Sequence, residues 1–168
     1  NKMVKHIVAF KLTGTDAERR EVALKFKEAL LALPEQIEVL RSMEEVRIAN
    51  FLYMHQIEYE YEPIYQYRIL DANKPYTPDF SIKQGDKIAY IEHFGITEEG
   101  HSNRYSPVDL EKYKSRVRDK IRLHKQHNTN LIYTFSTYKD GRDIIDHLKE
   151  KLTLLGFELN ERPAGEVY

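Results

Sequence analysis

At 168 residues the chain is long enough for one compact domain with its own core, and its 41% hydrophobic and 32% charged residues are ordinary for a globular protein. It contains no cysteine, which excludes a disulfide framework or a thiolate zinc site and fits the cytoplasm. The net charge of −1 provides no global basic field for nucleic acid, and no apolar run approaches the roughly 18 residues of a membrane span.

Asn1 to His6 have neither the apolar stretch nor the small-residue cleavage site of a signal peptide. A start at Asn1 rather than Met is what a fragment excised from a longer protein would show. Residues 4–11 are rich in strand formers. Thr15-Asp16-Ala17-Glu18 then reads as a capping box, in which hydroxyl and carboxylate each satisfy an unpaired helix amide. Val22, Phe26, Leu30 and Leu33 follow at helical spacing, and Pro34 stops that helix. Ser42-Met43-Glu44-Glu45 is a second capping box, predicted to open a helix through about His55 with Val46, Ala49, Phe51 and Leu52 on its apolar side.

A strand-rich middle follows, with strands predicted over Ile57–Tyr61, Ile64–Leu70, Phe80–Lys83 and Ile88–Phe94. Gln84-Gly85-Asp86 supplies a turn that makes the last two a hairpin. Residues 95–106 form a polar loop, and Pro107 suits the first turn of a helix over Val108–His127. Leu131–Phe135 reads as a buried strand and Asp140–Leu155 as a helix ended by Gly156. There is no internal repeat. This order of elements predicts an α/β sandwich, a mixed central sheet flanked by helices.

Two carboxylates stand out in the hairpin. Alternation along the second arm puts Ile88, Tyr90, Glu92 and Phe94 on one face and Ala89, Ile91 and His93 on the other. Turning the chain near Gly85 brings Asp79 and Glu92 together at the open end. They repel there unless a cation joins them, and a hard divalent ion such as Mg²⁺ (or Mn²⁺) suits so few ligands. The alternative is a pair of exposed acids at strand ends.

From Lys112 to Lys125 the helix after the hairpin carries Lys112, Lys114, Arg116, Arg118, Lys120, Arg122 and Lys125 against a single acid, Asp119. This run reads either as a phosphate-facing stripe or as a solvated face. At about 100° per residue, Tyr113, Val117, Lys120 and His124 share one narrow, half-apolar face. A lysine there meets an anion or snorkels to water. His124 and His127 have a spacing zinc ligands use, but no further ligands accompany them, so His124 is read as touching phosphate or supporting Lys120. The 12 tyrosines read as core and rim, and no phosphate-loop motif is present for a helicase motor.

Five ordered blocks carry a resemblance: Ser42–Glu45 before Ile48–Leu52; Ile57–Glu62; Tyr76-Thr77-Pro78-Asp79-Phe80; Ile91-Glu92-His93-Phe94-Gly95-Ile96; and Tyr113, Lys120 and His124. Together with Thr134-Phe135-Ser136 they resemble, over about residues 42–137, the PD-(D/E)xK (restriction-endonuclease-like) nuclease domain of bacterial superfamily 1 DNA helicases of the helicase IV type. Residues 1–40 match nothing in that pattern and are expected to be a connecting segment.

The resemblance implies a restriction-endonuclease-like core with Asp79 and Glu92 as metal ligands, completed by the main-chain carbonyl of His93. It also implies Glu45 as an upstream acid near the metal or its water. The lysine usual two residues after the second acid is replaced by Phe94, and Lys120 is placed to restore it from the helix. Lys114, Arg116, Arg118 and His124 are the expected DNA contacts. The first functional expectation is therefore Mg²⁺-dependent hydrolysis of DNA by a domain attached to a helicase. A catalytically inactive, strand-guiding DNA-binding module is the second, and a structural domain that binds a protein partner is the third.

Overall fold

The computed structural model describes residues 36–163 together with Thr15, Ala17 and Arg20. The strand predicted over 4–11 lies outside the described residues, as does nearly all of the first predicted helix, in which Ala17 and Arg20 are helical. The elements are α1 (Gln36–Met54), β1 (Glu58–Tyr61), β2 (Phe80–Gln84), β3 (Lys87–Thr97), α2 (Pro107–Gln126), β4 (Leu131–Thr137) and α3 (Ile144–Leu154).

The four strands form one open mixed sheet in the order β1-β2-β3-β4. β1, β2 and β3 are successively antiparallel, whereas β4 runs parallel to β3. A parallel neighbour cannot be reached by a tight turn, so the chain crosses over through α2. The β2–β3 hairpin closes at the paired Gln84 and Lys87, leaving two turn residues. Gly85 takes the first of them at φ +59°, a conformation that a side chain would strain.

The two faces of the sheet bury different chemistry. On one, Ile48, Ala49, Phe51 and Leu52 of α1 and Ile144, Leu148 and Leu152 of α3 pack on Phe80, Ile82, Ala89, Ile91 and Ile132. Truncating a fully buried leucine of this core to alanine typically costs about 2–5 kcal/mol. On the other face a smaller cluster joins Leu123 of α2 to Tyr65, Tyr76 and Tyr90. β3 lies between β2 and β4 with a helix layer on each side, and is buried without interruption from Ile91 to Ile96. The result is an α/β arrangement with helices on both faces of the sheet. No helix among the described residues is long and apolar enough to cross a membrane.

Three local expectations are corrected. Ser42 lies inside α1 and is not its cap. No proline or glycine interrupts 36–42, so the helix runs straight through, and Glu44 and Glu45 are left to bond outside it. Residues 64–70 form no strand. Tyr65, Tyr67 and Ile69 do alternate inward, but they pack beside Leu123 instead of entering the ladder. Finally, α3 starts at Ile144 rather than at Asp140. Asp140 forms its own turn, accepting from the Arg142 amide at 3.1 Å, and Gly141 at φ +74° is not helical. Asp143 caps the helix instead, accepting from the Ile145 amide at 3.0 Å. Other ends fall as expected, with Pro107 opening α2 behind the Ser106 cap and Gly156 at φ +83° following α3.

Candidate active site

The hairpin register places the two acids. Phe80 pairs with Ile91, so Asp79, just before β2, lies beside the Glu92–His93 step of β3, and Glu92 points to the α2 face, where Lys120 reaches it. Asp79 is nearly buried, and its Oδ2 accepts a 2.6 Å hydrogen bond from the His93 amide. Glu92 is fully buried. Its Oε1 accepts from the Tyr76 hydroxyl at 2.8 Å and its Oε2 from the Lys120 ammonium at 3.2 Å. Burial first, and then the charge of Asp79, push the Glu92 carboxyl up to about 7, against the opposing pull of Lys120 and Tyr76.

Lys120 therefore does not end in bulk water. Its side chain is only 24% exposed, and the ammonium stands 5.6 Å from the centre of the Tyr76 ring and 5.9 Å from that of Phe94. Phe94 is buried on the same face of β3, two residues beyond Glu92. The helix lysine thus reaches over the position where the strand carries a phenyl ring.

Glu45 stands on α1. It is 5% exposed and accepts from the Tyr61 hydroxyl at 2.5 Å. Burial, then the hydrogen bond to Glu45 and the charges of Glu45, Glu62 and Asp79, raise the Tyr61 phenol well above its ordinary value. Among the described residues no three His, Asp or Glu side chains gather as a metal-holding group. The acids that could contribute to one cation are Asp79 and Glu92, while Glu45 is held by Tyr61.

The His93 ring points to the opposite face. Its Nε2 bonds Glu44 at 2.5 Å and its Nδ1 meets Thr134 Oγ1 at 2.8 Å, while Ser136 also donates to Glu44 at 2.9 Å. Burial pushes the Glu44 carboxyl up, but His93, Ser136 and Arg104 together hold it below the ordinary carboxylate value. Any role of His93 toward a cation at Asp79 and Glu92 thus belongs to its main chain, not its ring.

The expected DNA contacts divide. Arg116 and Arg118 are exposed on α2. Lys114 is partly covered, bonded to Glu111 at 3.2 Å and lying over Gly100, where an added Cβ would come within 2.7 Å of the lysine Cε. His124 is corrected outright as a phosphate contact, because it is 1% exposed. Its Nε2 meets the Tyr76 hydroxyl at 3.0 Å and its Nδ1 meets Thr129 Oγ1 at 2.8 Å. Burial, helped by the Lys120 charge, lowers its pKa to about 4 and keeps the ring neutral. It supports the cluster from behind.

Tyr76 is the residue that sequence reasoning did not assign, although its place three residues before Asp79 was the available signal. Tyr61 and Glu44 were missed as well, since nothing local distinguishes one tyrosine of a strand or one glutamate of a helix. A separate groove of about 490 Å³ lies between residues 67–71 and the C-terminal half of α2, and shares no lining residue with the acid cluster.

No protein-family model matches the chain, and no curated protein sequence matches it significantly. Fold and site chemistry are therefore the basis for a functional reading.

Proposed function

We propose that this chain is a metal-dependent deoxyribonuclease domain of the restriction-endonuclease-like type, working as part of a DNA helicase. The observation that carries the reading is the meeting of Asp79, Glu92 and Lys120, with the Lys120 ammonium 3.2 Å from Glu92 and over Phe94. Two acids from a hairpin and a lysine from the following helix supply the groups such chemistry requires, including the lysine that β3 lacks.

The residues fit a hard divalent cation. Two acids come from the hairpin, one of them fully buried and raised in pKa partly by the charge of the other. The donors are all oxygen, which suits Mg²⁺ or Mn²⁺ rather than a softer ion. Asp79 and Glu92 would hold the ion, which when bound stabilises charge on a phosphate and eases formation of the attacking hydroxide. The His93 amide fixes Asp79, and Tyr76 fixes one oxygen of Glu92. Lys120 would supply a positive charge toward a bound phosphate and help orient the attacking water. Arg116 and Arg118, exposed on the same helix, suit contacts to the DNA backbone.

A second reading has its own observation. Glu92 already has a hydrogen bond on each oxygen, from Tyr76 and from Lys120. A site so neutralised by its own lysine is what a strand-guiding, inactive relative would keep. Cleavage assays separate the two. The wild-type chain is mixed with single- and double-stranded DNA in Mg²⁺, Mn²⁺ or chelator. Metal-dependent cutting is expected, with Asp79→Ala and Glu92→Ala each silent. An Asp79→Ala variant that cuts like wild type overturns the nuclease. So does uncut DNA under every metal with the helicase attached, and it leaves the DNA-guiding module.

A further inference from the structure

We propose that Tyr65, Thr129, His124 and Tyr76 form a one-directional hydrogen-bond chain that fixes the Glu92 carboxylate, with His124 as a positioning residue locked in the Nε2–H tautomer. The purpose assigned to the chain rests on Glu92 being the ligand named above, whereas its proton order is tested without metal.

The order follows from counting protons. At alkaline pH, where Glu92 is ionised and can only accept, the single Tyr76 hydroxyl proton goes to Oε1 at 2.8 Å. The Tyr76 oxygen then faces His124 Nε2 at 3.0 Å as an acceptor, so Nε2 must carry a proton. Burial and the nearby Lys120 charge keep the ring neutral, which makes Nδ1 an acceptor. Thr129 Oγ1 stands 2.8 Å from Nδ1 and donates there in preference to the His124 carbonyl at 3.3 Å. Its proton being used, Thr129 accepts from the Tyr65 hydroxyl at 2.5 Å. Each proton has one place.

The surroundings leave the ring little freedom to reverse this order. The rings of Tyr65, Tyr90 and Tyr76 enclose His124, with centroids at 4.5, 5.1 and 5.6 Å. The Nδ1–H tautomer would leave Nε2 and the Tyr76 oxygen as two acceptors facing each other, or pull the Tyr76 proton away from Glu92. Either outcome leaves a buried acceptor unpaired, which is unfavourable. The chain ties Oε1, so the oxygen that can exchange its partner is Oε2, whose lysine is partly exposed. Groups standing behind a metal ligand typically change metal affinity about 10- to 100-fold when removed.

The test begins without metal. In the full chain, labelled with ¹⁵N-histidine, treated with chelator and held at pH 8.5, His124 should show one tautomer with a slowly exchanging proton on Nε2. That proton should lose its protection in Tyr76→Phe. Mn²⁺ titration then reads the purpose: Tyr76→Phe and His124→Leu should each weaken binding about 10-fold or more, and the double variant no further. His124→Gln, which keeps a donor near the Nε2 position, should recover most of the affinity. A proton on Nδ1, a mixed tautomer, or additive losses in the double variant overturn the chain. If the wild type takes up no Mn²⁺, the nuclease reading fails by itself, and the imidazole spectrum still decides the chain even where His124→Leu does not fold.

Discussion

Replacing Lys120 by methionine tests the centre of the site, because the structure says how its cost must depend on pH. The pair stands at 3.2 Å, where Coulomb's law with an effective dielectric of about 20 gives roughly 5 kcal/mol, an upper limit that water around the partly exposed ammonium reduces. A tighter limit comes from Glu92 itself. Its carboxyl already sits at about 7 in the folded chain, and without Lys120 it rises further. The variant can therefore avoid an unpaired buried charge by taking up a proton, at about 1.4 kcal/mol for each pH unit above 7. At pH 6 Glu92 is mostly protonated with or without the lysine, and the loss should be that of one hydrogen bond, about 1 kcal/mol. At pH 8.5 protonation adds about 2 kcal/mol. Urea melts of both proteins in chelator, followed by circular dichroism at the two pH values, measure the difference directly. If Lys120→Met costs the same at pH 6 and pH 8.5, the lysine is not what holds the Glu92 charge. Cleavage should fall about 10²–10³-fold in the same variant.

Two further outcomes follow from the same geometry. Glu92, raised from 4.5 to about 7, keeps a proton that the unfolded chain has lost, so it makes stability fall as pH rises through that window. His124, lowered from 6.5 to about 4, makes stability fall as pH drops from 6.5 to 4, because the unfolded chain protonates first. These slopes oppose one another between pH 4.5 and 6.5. Metal-free Glu92→Gln should thus weaken steadily on acidification where wild type stays flatter, and superimposable thermal-melt profiles would refute the assignment. On α2, Arg116→Glu with Arg118→Glu should weaken DNA binding, nearly independently of DNA sequence. The dependence of log affinity on log salt should shrink by about 0.9 for each duplex phosphate that the variant no longer neutralises. Titrations across a salt series check this, and unchanged binding would make the helix a solvated face.

Much of this arrangement was readable locally. Gly85 between two strand-forming arms predicts the hairpin, and the hairpin puts Asp79 beside the Glu92–His93 step. Helical periodicity sets Lys120 and His124 on the inward face of α2, and both turn inward. The misreadings have physical causes. Ser42-Met43-Glu44-Glu45 has the composition of a cap, but a cap forms only where the helix stops, and residues 36–42 contain nothing to stop it. Tyr65, Tyr67 and Ile69 alternate like a strand, yet alternation reports only that one side is buried, not that a strand partner exists.

What the sequence by itself determined is which side chains share a face, because the period of a strand or helix is a property of consecutive residues. What only the tertiary structure decided is which groups meet between faces. Tyr61 reaches Glu45 across 16 residues, His93 reaches Glu44 across 49, and Tyr76 meets His124 across 48. These pairings depend on how far one packed element is offset along its neighbour, and an error of a single residue would move a hydroxyl several ångströms from its acceptor. The state of His124 shows the difference. Its periodicity placed it on the inward face of the helix, but only the enclosing tyrosines, Thr129 and Lys120 make it a neutral buried ring instead of a phosphate contact.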